Sequence, residues 1–117
     1  MLAVTPPMTT TLISPRQSTQ QHLPSETTWG ISSVEADQSS YTGEGVVVAV
    51  LDTGIEKAHS AFAGVDILEQ DFTGEGNGDH NGHGTHCAGT IFGRDVNDQR
   101  IGIARGVTRA LAGEVIA

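Results

Sequence analysis

The chain has 117 residues, with 14 acidic against 6 basic side chains, a net charge of −8 and a single cysteine. The dispersed acid surplus excludes a nucleic-acid-binding surface, which needs a basic stripe. One thiol excludes an intrachain disulfide and so demands neither an oxidising nor a reducing compartment.

Residues 1–28 are dominated by Thr, Ser, Pro and Gln, a composition that cannot build a core and predicts a tail or linker. Pro6 and Pro7 interrupt its start before an export-signal core could form. No apolar run is long enough to span a bilayer, so no membrane partner is expected. Localisation is left open. Trp29, Ile31 and Val34 are spaced for one face of a short helix, and a domain is expected over residues 29–117. Val46 to Leu51 is an unbroken apolar, β-branched run between Gly45 and Asp52-Thr53-Gly54, which predicts a parallel strand buried on both faces. Val65 to Phe72 is a second, more polar strand candidate, followed by a glycine- and acid-rich loop to Gly84. From His83 the apolar residues Cys87, Ala88, Ile91 and Phe92 recur at helical spacing until Gly93, predicting a helix over 83–92. Asp95 to Arg100 reads as a polar loop, Ile101 to Val107 as a connector, and Ala110 to Ala117 as another buried strand. Strands alternating with helices imply an α/β fold, three-layered around a mainly parallel sheet.

Asp52 follows the predicted strand directly, and in parallel α/β sheets sites assemble at the carboxyl ends of strands. A carboxylate there is poorly solvated and calls for a partner, structural or catalytic. Taken alone it is also an ordinary turn residue. His83 lies between Gly82 and Gly84, which lets its imidazole emerge at a helix start with close backbone approach. An aspartate bound to one ring nitrogen would fix the tautomer and leave the other nitrogen to move protons. Taken alone, His83 and His86 read equally as decoration of a loop and a helix.

Together, Val48-Ala49-Val50-Leu51-Asp52-Thr53-Gly54 and Asn81-Gly82-His83-Gly84-Thr85-His86-Cys87-Ala88-Gly89-Thr90 resemble the aspartate and histidine signatures of subtilisin-like serine peptidases. Cys87 after His86 resembles the proteinase K-like subgroup. The likeness extends from about Trp29 to Ala117 and includes Ile55, His59, Asp79-His80-Asn81-Gly82 and Gly102-Ile103-Ala104-Arg105-Gly106-Val107. It implies hydrolysis of protein or peptide substrates, with Asp52 orienting His83, and His83 acting as base and then acid toward a serine. His86 matches no catalytic position and is expected to pack its helix.

That serine, the oxyanion-hole asparagine and most pocket walls lie downstream in the family. No serine follows His83 here, and Asn97 sits in a polar loop. In subtilisin, loss of the serine alone costs on the order of 10⁶ in kcat, so the chain by itself is expected to be inert. It is expected to be the N-terminal part, or one half, of a peptidase whose missing C-terminal portion is its partner. Calcium is a candidate cofactor by the same likeness, although Ala61 stands where many relatives carry an acidic ligand. The Asp71–Asp79 loop, with Glu75 and Asn77, offers oxygens but reads first as a solvated acidic loop. Alternative readings are a metal-binding module using Asp79, His80, His83 and His86, a nucleophilic Cys87, and a non-catalytic relic of the fold.

Overall fold

The computed structural model describes residues 28–117, and the tail expected over 1–28 lies outside them except for Thr28. Three six-residue strands form one parallel sheet: β1 (Val47–Asp52), β2 (Asp66–Asp71) and β3 (Arg109–Glu114), in the order β1-β3-β2. The last strand in sequence is therefore the central one. Its register places Glu114 beside Asp52 on one side and beside Asp71 on the other, so three acidic residues stand in a row at the carboxyl edge. Helix α2 (His83–Phe92) joins β2 to β3 and packs on β1.

The core lies between α2 and one sheet face. Ala88 and Phe92 meet Val50, Ile67, Ala110 and Ala112, with Ile55, Phe62 and Val107 closing the edges. Phe62 and Phe92 pack with ring centroids 5.6 Å apart, within the range of favourable aromatic pairs.

The opposite face carries Leu51, Leu68, Phe72 and Leu111, all exposed, with Leu51 and Phe72 each 68 % open to solvent. Burial of strand 46–51 on both faces is thus not observed. The β-branched run makes the strand, but the described residues cover it from one side, giving two layers of the expected three. Helix α1 (Trp29–Ser33) also departs from expectation. Ile31 is buried, while Trp29 and Val34 are exposed, so the three do not share one buried face. Arg100, expected in a polar surface loop, is 5 % exposed. Its guanidinium donates to the carbonyls of Ala36, Gly102 and Ile103, tying the entry segment to the connector. Among the described residues no helix is long and apolar enough to cross a membrane.

Candidate active site

The carboxyl end of β1 and the first turn of α2 meet at one point. Gly82 initiates the helix at φ 105°, a conformation that a side chain disfavours. Gly84 then passes so close to the turn after β1 that a Cβ on it would lie 2.1 Å from the Gly54 carbonyl oxygen. The glycines flanking His83 are therefore a steric requirement of bringing the helix start onto the strand end.

Across that junction His83 Nδ1 lies 2.9 Å from Asp52 Oδ1 and 3.0 Å from Oδ2. Both side chains are mostly covered. Asp52 Oδ1 also accepts from the Thr53 N–H at 2.7 Å, which holds the carboxylate in place. With Asp52 as acceptor, Nδ1 carries the proton and Nε2 is the ring nitrogen that does not.

A second tier supports this pair. Buried Thr53 accepts from the Gly84 N–H at 2.8 Å and donates to Asp79 Oδ1 at 2.8 Å. Asp79 in turn accepts from the N–H groups of Asn81, Gly82 and Thr85 and from the Thr85 hydroxyl. Burial pushes the Asp79 carboxyl up, but the Gly82 N–H, the Thr85 hydroxyl and the N–H groups of Asn81 and Thr85 outweigh it and hold it at about 2. A full negative charge thus sits under the first turn of α2, where the helix dipole favours it. Thr85 extends the tie by accepting from the Glu56 N–H at 3.0 Å. Neither Thr53 nor Asp79 in these supporting roles was inferred from sequence. The available signal is the Asp-x-x-Gly spacing of Asp79 and Gly82 ahead of a helix start, which suits side chain to backbone turns.

Cys87, one turn beyond His83, places Sγ 3.7 Å from His83 Nδ1. It lies against His83 and outside the core cluster, because a residue four positions on in a helix lies over the same spot as its predecessor. Burial and then the charge of Asp52 push its thiol up from 9.0, so it stays protonated at neutral pH and is a poor nucleophile. Asp52, His83 and Cys87 are the one group of three among the described residues whose metal-ligating atoms all lie within 4.8 Å of one another. Asp79, His80, His83 and His86 are not gathered: His80 lines a cavity beside Glu114, and His86 lines a groove with His59 and Phe62. His86 is exposed rather than packed, since it faces away from the sheet on α2. In the acidic loop Asp71 accepts from the Thr73 hydroxyl and from the N–H groups of Thr73, Gly76 and Gly74. The Thr73 hydroxyl leads in holding its carboxyl at about 2. These oxygens are engaged in closing the loop.

A family model described as the subtilase family matches residues 43–112. Over 74 residues the chain is 40 % identical to an alkaline proteinase of Hapsidospora chrysogena, covering 56 % of this chain and 18 % of that protein. It is 35 % identical over 97 residues to subtilisin-like protease 6 of Trichophyton rubrum, covering 76 % and 22 % respectively. A cuticle-degrading protease of Metarhizium anisopliae is 49 % identical over 49 residues, covering 42 % of this chain and 13 % of that protein. The chain spans less than a quarter of the length of these relatives.

Proposed function

The chain belongs to the subtilase family, and from that premise we propose that it supplies the acid–base pair of a serine endopeptidase, Asp52 and His83. The observation that carries this reading is the double contact of His83 Nδ1 with the Asp52 carboxylate at 2.9 and 3.0 Å. Asp52 fixes the tautomer and stabilises the imidazolium. His83 Nε2 takes the proton from a serine hydroxyl as its oxygen attacks the peptide carbonyl, then delivers it to the leaving amine as the C–N bond breaks. Water, deprotonated by the same nitrogen, hydrolyses the resulting ester and returns the proton to the serine.

No serine follows His83 in the 117 residues, so the nucleophile belongs to further polypeptide and the chain by itself is inert. Residues 29–117 then form the N-terminal part of the peptidase domain. The uncovered sheet face, with Leu51, Leu68 and Phe72 exposed, supports this, because a parallel sheet is stable when both faces are covered.

The test combines the chain with the remaining polypeptide of its natural gene product, and measures peptide hydrolysis and labelling by a fluorophosphonate. Activity is expected only in the combination. Asp52→Asn should lower kcat by about 10⁴ through the wrong tautomer, and His83→Ala should abolish labelling. Full activity in either variant, or hydrolysis by the 117-residue chain alone, would overturn the reading.

A further inference from the structure

The loop between β2 and α2 contains two Asn-Gly pairs, Asn77-Gly78 and Asn81-Gly82. An asparagine followed by glycine can lose its side-chain amide without an enzyme. The glycine nitrogen gives its proton to hydroxide and bonds to the asparagine Cγ, the C–NH₂ bond breaks, and ammonia leaves with a proton from water. Water then opens the resulting cyclic imide at either carbonyl, giving aspartate or, with the chain rerouted through Cγ, isoaspartate. Glycine permits this because no Cβ hinders the approach of its nitrogen. The state of the glycine N–H therefore decides which pair reacts.

At Asn81-Gly82 that N–H is committed. It donates to Asp79 Oδ1 at 2.8 Å, beside the Asn81 N–H at 2.9 Å. The Asn81 side-chain oxygen meanwhile accepts from the His83 N–H at 3.1 Å, which fixes the group to be attacked. Taking the Gly82 proton would break a charge-assisted hydrogen bond and set an amide anion against a carboxylate.

At Asn77-Gly78 the situation is reversed. Asn77 is exposed, and among the described residues neither its side chain nor the Gly78 N–H has a hydrogen-bond partner. The N–H groups of Thr73, Gly74 and Gly76 serve Asp71, and that ring of donors stops short of Gly78. Modification here adds a negative charge and, as isoaspartate, one main-chain atom immediately before Gly78. The carbonyl oxygen of Gly78 abuts the turn after Asp52, where a Cβ on Gly54 would lie 2.5 Å from it.

We propose that Asn77-Gly78 is a site of spontaneous deamidation, and that the Asp79 carboxylate shields the equivalent pair beside His83 from the same reaction. Neither half depends on peptide hydrolysis.

The test uses the complete natural gene product, treated first with a fluorophosphonate so that self-cleavage cannot remove the loop, and held at mildly alkaline pH. Peptide mapping by mass spectrometry follows the exchange of amide for acid at each asparagine, and labelling by isoaspartyl methyltransferase identifies the rerouted product. Acid and isoaspartate should accumulate at Asn77, with Asn81 slower by about tenfold or more, the factor that one hydrogen bond to a charged group supplies. In urea, which removes the contacts with Asp79, the two rates should converge. Asn77→Gln should remove the signal from its peptide, and Asp79→Asn should raise the Asn81 rate, with circular dichroism confirming the fold. Should Asp79→Asn unfold, the parent's two rates and their convergence in urea still decide. Equal modification of the two asparagines in the folded protein, no reaction at Asn77 while the urea-unfolded chain reacts, or an Asn81 rate unmoved in folded Asp79→Asn would overturn the proposal.

Discussion

Asp79→Asn isolates what the charge beneath the first turn of α2 contributes. The carboxyl is held at about 2 against an ordinary 3.8, which corresponds to at most about 2.4 kcal/mol favouring the folded state at neutral pH. The group is partly open to water, and screening reduces this to about 1 kcal/mol. Asparagine keeps the shape but turns an NH₂ toward some of the N–H donors that Asp79 now satisfies, adding about 1 kcal/mol. The expected loss at pH 7 is therefore about 2 kcal/mol. The sign of the pH dependence follows from the lowered folded-state value. Stabilisation by the charge is fully present above the unfolded value of 3.8 and disappears as pH falls through about 2. Parent and variant should converge by about 1 kcal/mol over that window. Urea unfolding followed by circular dichroism at pH 7, 5, 3 and 2 measures both quantities. A difference under about 0.5 kcal/mol at pH 7, or one that stays constant down to pH 2, would refute the assignment of Asp79 as a charged support of the helix start.

Gly84→Ala should cost about 3 kcal/mol or more, because the new methyl would meet the Gly54 carbonyl oxygen and the Thr53 hydroxyl; a thermal midpoint equal to the parent's would show that the junction can yield. Cys87, with its thiol pushed up by burial and by Asp52, should react with iodoacetamide at pH 7.5 at least about tenfold more slowly than a free thiol. Asp52→Asn should accelerate that reaction, and mass spectrometry would detect a failure of either effect.

Local features were legible from sequence wherever one residue type answers one geometric demand. Helix 83–92 was bounded by Gly82 and Gly93, and its observed limits coincide. The β-branched run at 46–51 located β1 to within one residue. Asp52 and His83 were singled out by their neighbours, and the fold does bring them together. What escaped depends on who stands beside whom in three dimensions. Nothing local says that β3 is central, and the burial of Glu114 follows only from that placement. Arg100 looked like a solvated charge because the carbonyls it serves come partly from Ala36, 64 positions away. The helical spacing of Cys87 with Ala88, Ile91 and Phe92 does not reveal that the turn sets its sulfur against His83.

The strand order also sets a timetable. β1 and β2 share no hydrogen-bonded edge and each waits for β3, whose Arg109 pairs with Val47, emerging 62 positions earlier. Such distant pairing is slow to form, because a long loop must close before any contact rewards it. On the ribosome, Asp52 and His83 would both leave the exit tunnel well before the strand that aligns their supports. The contact between Asp52 and His83 therefore waits on chain made after both residues, and its two halves stay apart until synthesis has passed Glu114.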